Sequence, residues 1–111
     1  MRITITGTKL EITPALTVYV TQRLQPLSRH LQPFEKNGEM LLRVEIARST
    51  KHHKKGDEVY YVELTLQLPK KTIRIEQYHD NVRKAVDEAH RRMKSEISDY
   101  KDLVIEKKKR I

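Results

Sequence analysis

NVRKAVDEAHRRMKSEISDYKDL, residues 81–103, is the stretch on which the fold turns. Val82, Val86, Ala89, Met93, Ile97 and Tyr100 recur at steps of four, three, four, four and three, which lays one apolar stripe along an α-helix. Asp80 or Asn81 stands as the cap, and the helix is about twenty residues long. A helix with a single apolar stripe needs a flat apolar surface to lie on, and the rest of the chain must supply it.

Four alternating runs do so. Ile3 and Ile5 alternate with Arg2 and Thr4 in a short β-branched strand over residues 2–6. Leu42, Val44 and Ile46 form a second run, Tyr60, Val62, Leu64, Leu66 and Leu68 a third, and Ile73 and Ile75 a fourth. Arg43, Glu45, Tyr61, Glu63, Thr65, Gln67, Arg74 and Glu76 fall between them, so the sheet has one apolar and one wet face. Between the first two strands, Thr13 and Pro14 open a helix, and Leu16, Val20, Leu24, Leu27 and Leu31 carry it to residue 31. Pro26 lies inside that span without a donor for the carbonyl of Gln22, which predicts a kink or an end to the regular helix.

The fold class is therefore α+β, in the order β-α-β-β-β-α. A four-stranded mixed sheet carries two helices on one face, with strands two to four as an antiparallel meander. From the first helix onward this is the element order of a double-stranded-RNA-binding domain, an analogy of fold alone. The chain has 111 residues, enough for one domain, which we place at residues 1–103, with a basic C-terminal tail over 104–111. Apolar residues make up 37% against 34% charged, with one Phe and no Trp, which leaves little material to wall a large catalytic cavity. Without cysteine there is no disulfide framework and no thiolate chemistry. The alternating N-terminus lacks the apolar run of a secretion signal or membrane span, so a soluble, cytoplasmic protein is expected.

Charge gives the functional lead. Lysine and arginine number 23 against 15 acids, a formal +8 that attracts phosphate-rich or acidic surfaces. At 100° per residue, Arg83, His90, Lys94 and Lys101 gather on one flank of the last helix, with Lys84 and Arg91 further round. The opposite flank holds Glu88, Glu96 and Asp99, relieved by Arg92. On the first helix Tyr19, Arg23, Pro26 and His30 share a flank, with Arg29 outside it. A solvated helix surface is the plain reading of such charge. The net charge, the basic hairpin loop KHHKK (51–55) and the terminal KKKR shift the balance toward a polyanion.

Other constellations are poor. His52 and His53 are adjacent, point different ways and lack a third ligand, so no metal site is expected. Alternation assigns Tyr60 to the core and Tyr61 to the wet face, without aromatic neighbours for a base-stacking platform, so cross-strand packing is the expected role. There is no Gly-rich phosphate loop, no nucleophile beside a base and no convincing carboxylate pair; Asp57 and Glu58 read as a hairpin exit. No enzyme and no cofactor are expected.

With these residues in view, the sequence resembles the ribosome hibernation promoting factors and the related ribosome-associated translation inhibitors. The resemblance lies in ITITGTKLEITPALTVYVTQRLQPLSRHL (3–31), above all EITPAL followed by Val20, Leu24 and Leu27, and in KAVDEAHRRMKSEISDYK (84–101), while the middle strands match in pattern only. It implies a short-form member that binds the small ribosomal subunit and its rRNA in the mRNA and tRNA channel and inhibits translation, with no cofactor, small-molecule substrate or membrane. Carried over by position, Arg23, Arg29 and Arg92 stand where relatives are basic, whereas Pro26, Ser95 and Asp99 replace basic residues. Arg83 stands in place of an aromatic residue and Asn81 in place of an aspartate cap. Lys84, Arg91 and Lys94 compensate from the adjacent surface, so the expected RNA-binding set is Arg23, Arg29, Lys84, Arg91, Arg92 and Lys94. Two other readings stay open. One is a general structured-RNA binder; the other is a regulatory domain whose wet sheet face, or exposed second-strand edge, docks an acidic protein.

Overall fold

The computed structural model describes the backbone of residues 1–53 and 57–109, and the side chains within those ranges except 37, 50–53, 57, 58 and 105–109. The first strand, β1, spans Arg2–Thr8. It leads through Leu10 and Ile12 into α1, Pro14–Leu24, whose cap Thr13 accepts a hydrogen bond from the Leu16 amide at 3.2 Å. Pro26 ends the regular helix as expected: Gln25–Leu27 tightens to a 3₁₀ turn before one more α-turn, α2, at Ser28–Leu31. A second 3₁₀ segment, Gln32–Asn37, delivers the chain to β2, Leu41–His53. The strand β3 covers Asp57–Leu68 and β4 covers Lys71–His79.

The sheet order is β1-β2-β3-β4, with β1 parallel to β2 and the other pairs antiparallel. This is the mixed sheet expected, with one correction: β2 is not an edge over Leu41–Ala47, because β1 pairs along that whole length. Beyond Ala47 the β2–β3 hairpin outruns β1, and beyond Tyr60 it outruns β4 as well. The strands also reach His53 and Asp57, so His52, His53 and Asp57 belong to the hairpin arms rather than its loop. Lys54, Lys55 and Gly56 lie outside the described residues, as do the side chains on which the basic-loop reading depended.

The final helix, α3, spans Val82–Lys109. Asn81 is the cap, its Oδ1 accepting from the Lys84 amide at 3.1 Å. The helix runs past residue 103 to Lys109. No Gly or Pro follows Lys101 to end it, and Glu106 and Lys107–Lys109 are good helix formers.

One core joins the layers. Leu42, Val44 and Ile46 from β2, Val62, Leu64 and Leu66 from β3, and Ile73 and Ile75 from β4 face Leu16, Val20, Leu24, Leu27 and Leu31 from the first helical segment. Ala85, Val86, Ala89, Met93, Ile97 and Tyr100 complete it from α3. Alanines at 85 and 89 let the helix sit close to the sheet, while Met93 and Ile97 fill the wider space beyond. Tyr100 is buried with its hydroxyl donating to the Pro69 carbonyl at 2.8 Å, so α3 is tied to the β3–β4 turn.

Candidate nucleic-acid interface

The two helical segments lie side by side on the sheet and leave a groove on the outer surface. Arg83 places its guanidinium 4.8 Å from the centre of the Tyr19 ring, and Arg23 sits 5.5 Å from the same ring. The Tyr19 hydroxyl donates to Asp87 Oδ1 at 2.6 Å, and Arg23 meets that oxygen through Nε at 2.9 Å. These bonds lock α1 to α3. Further along, Gln22 and Pro26 face His90, and His30 faces Lys94, Ser98 and Lys101. From Arg83 to Lys101 the groove follows about 27 Å of helix, at 1.5 Å per residue.

Electrostatics in the groove is mostly cationic. The Arg23 guanidinium, held first by its hydrogen bond to Tyr19 and then by the charge of Asp87, has its pKa pushed up and is a fixed cation. Burial, followed by the nearby Arg23 and Lys94, lowers the His90 pKa, so its imidazole is neutral at neutral pH. Asp87 is an acid near the Arg83 end of the groove, and its near oxygen is already taken by Tyr19 and Arg23.

The six sequence-predicted cations do not all share one place. Arg23 and Lys94 line the groove. Arg29, Lys84 and Arg91 are exposed on the helix exteriors, and with Lys94 they form no ion pair among the described residues. Arg92 is on the other flank, where it donates to the Glu76 carbonyl at 2.6 Å and to Gln77 Oε1 at 3.0 Å. There it staples α3 to β4. Glu88, which accepts from Gln77 Nε2 at 2.7 Å, lies on the same flank. Asp99, two turns beyond Arg92, shares that direction and so points away from the groove. Groove residues outside the predicted set include Tyr19, His30, Arg83, His90 and Lys101. Their helical flanks were legible; that the two flanks meet was not.

The wet sheet face differs. Glu45, Glu63 and Glu76 stand opposite one another on three neighbouring strands. Arg74 bridges Glu63 at 2.9 Å and Glu76 at 3.6 Å. Contrary to expectation Tyr61 has an aromatic neighbour: its ring lies 5.0 Å from that of Tyr78, its partner across β3–β4. The role is the predicted cross-strand packing, since the Tyr61 hydroxyl is committed to Glu63. Tyr60, expected in the core, is half-buried beyond the helices with Arg48 over its ring. Among the described residues, no group of three or more His, Asp or Glu is placed to hold a metal ion, and no helix is long and apolar enough to cross a membrane.

The helices turn a cationic groove outward from the sheet, with two shallow concavities along it. The chain belongs to the family of sigma 54 modulation proteins and S30EA ribosomal proteins, whose pattern matches residues 3–104. This is the ribosome-associated hibernation-factor family that the sequence resembles. The crystal structure of the N-terminal domain of Thermus thermophilus Protein Y is similar, at 26% identity and TM-score 0.71 over 90% of this chain and 99% of that one. A ribosomal subunit interface protein from Coxiella burnetii shares the fold at 23% identity and TM-score 0.71, over 92% of this chain and 99% of its own. No curated protein matches the chain significantly.

Proposed function

We propose that this protein is a cytoplasmic ribosome hibernation factor that binds the small subunit in the mRNA and tRNA channel and inhibits translation there. The observation that carries this reading is the cationic surface around the interhelix groove, where Arg29, Lys84, Arg91 and Lys94 are exposed and unpaired among the described residues. Charges already consumed by internal partners have little to offer a phosphate, whereas these can replace its counterions. Arg23, on the groove wall, is already held by Asp87 and is not counted among these free cations. Arg92 instead holds the helix on the sheet. The RNA-facing side is thus turned toward Lys84, Arg91 and Lys94, which removes Asp99 from the contact. Family membership supports the ribosome as partner.

The open sheet face offers an acidic protein partner little net attraction, because Glu45, Glu63 and Glu76 offset Arg43 and Arg74 there. The test is sedimentation with separated ribosomal subunits at low salt. Comigration with small subunits, diminished by messenger RNA, is expected. Equal binding to a free RNA duplex points to a general RNA binder, and a lysate partner that survives ribonuclease points to a protein-docking role; either overturns the proposal.

A further inference from the structure

The groove widens at two places. One concavity of about 330 Å³ is lined by Tyr19, Gln22, Arg23, Pro26 and His90. Another of about 300 Å³ is lined by His30, Lys94, Ser98, Lys101 and Asp102. They are built alike: each has one histidine on one helical segment and a cation on the other. His90 on α3 meets Arg23 on α1, and His30 on α2 meets Lys94 and Lys101 on α3. With the Tyr19 hydroxyl and Arg23 Nε committed to Asp87, the first concavity offers the Gln22 amide, the rest of the Arg23 guanidinium and His90, and the second offers His30, Lys94, Ser98 and Lys101, groups that suit an oxyanion better than a metal ion.

We propose that the two concavities are phosphate subsites, and that in the first of them His90 takes up a proton as the anion enters. The inference rests on the ribosome-binding reading above and adds to it the ligand group and a proton linkage.

The charged groups facing His90 are Arg23 from α1 and Asp87, Arg91 and Lys94 on its own helix. Three are cations, and Asp87 already serves Tyr19 and Arg23, so the groove has little of its own to hold an imidazolium. Partial burial acts in the same direction. A phosphate in the concavity reverses the balance, because its oxygens accept from the imidazolium and screen it from Arg23 and Lys94. Around His30 the charged lining groups are Lys94, Lys101 and Asp102. Asp102 is exposed and weakens this subsite, which makes the His90 subsite the stronger.

The sign follows from linkage. A group with a higher pKa in the bound state takes up protons on binding, so affinity is lost as pH rises through the bound-state value. It stops improving once pH falls below the lowered pKa of free His90. Binding is therefore expected to strengthen by about tenfold between pH 8 and pH 6, the range in which histidine titrates.

The experiment measures Kd for purified small subunits at pH 6, 7 and 8 at constant ionic strength, using wild type, the double variant His30→Gln/His90→Gln and His90→Lys. Circular dichroism checks that each is folded. The double variant should lose the pH dependence, and His90→Lys should flatten it while binding more tightly at pH 8 than the double variant. A double variant with the wild-type slope overturns the inference and leaves ribosome binding standing. Wild type that fails to bind at any pH overturns both. A second readout uses inorganic tripolyphosphate at pH 7, monitoring the imidazole Cε1 protons by NMR. The His90 signal should move toward its protonated position; no movement overturns the proton linkage.

Discussion

At the scale of single residues, Asp87 has two opposing effects. It fixes α1 against α3 through Tyr19 and Arg23, and it holds negative charge in a groove that we assign to phosphate. Asp87→Asn keeps a group able to accept from Tyr19 while removing the charge and freeing Arg23. It should tighten binding to small subunits roughly threefold at low salt, an effect that fades as screening increases. A titration at two salt concentrations checks this, and weaker binding would show that Arg23 must be held in place to act. Glu63 gives a stability prediction. The Tyr61 hydroxyl and then Arg74 hold its carboxyl below the usual range against the opposing effect of burial. A depressed folded-state pKa contributes stability above the unfolded value near 4.5, lost as pH falls through the folded one. Glu63→Gln should therefore cost about 0.5–1 kcal/mol at pH 7, as for a partly exposed ion pair. The difference from wild type should close toward pH 3, as read by urea unfolding at both pH values.

At the scale of elements, Pro69–Lys70 makes the two-residue β3–β4 turn, with Lys70 at φ 63°, where a side chain is strained. Lys70→Gly removes that strain but adds freedom to the unfolded chain, for a net gain of about 0.5–1 kcal/mol. A thermal melt should rise by a few degrees, and a fall would mean that Lys70 makes a compensating contact. The same turn explains what the sequence showed and what it hid. The strands were legible because alternation over Leu42–Ile46 and Tyr60–Leu68 reports a face directly. The Tyr61–Tyr78 pair was not, since alternation does not set register; the turn does, by placing Leu68 opposite Lys71. Gly7 carried no visible signal. A β-carbon there would lie 2.4 Å from the Leu10 carbonyl oxygen, so only glycine lets residues 10–12 fold back beside β1. The apolar stripe of α3 gave its existence and buried face, but a stripe ends where the sheet ends, and the helix continues to Lys109. The candidate site was half legible for a related reason. Helical rotation grouped Arg83, His90, Lys94 and Lys101, and separately Tyr19, Arg23 and His30, whereas their meeting depends on how the helices pack.

At the scale of the molecule, the extents of 55 × 30 × 18 Å describe a flat, elongated body with its helices on one broad side and an open sheet on the other. Charge is used differently on these sides, since the sheet face balances its glutamates against Arg43 and Arg74, whereas the helix exteriors carry cations that form no ion pair among the described residues. Affinity for RNA should then depend on a few helix positions rather than on net charge. The double reversal Arg91→Glu/Lys94→Glu tests this against Arg92→Gln, which loses a cation on the opposite flank along with its bond to the Glu76 carbonyl. About five neutralised phosphates give a slope of log K against log salt of roughly −3 to −5 for wild type. The double reversal should reduce its magnitude by about 1.5 and weaken binding at least tenfold at low salt, as loss of two phosphate contacts requires. Arg92→Gln should lower the unfolding midpoint, with a slope close to wild type, because its guanidinium is already engaged by β4. If the Arg92 variant flattens the slope as strongly as the double reversal, net charge rather than its placement on the helices governs binding, and the cationic face gives way to a diffuse attraction.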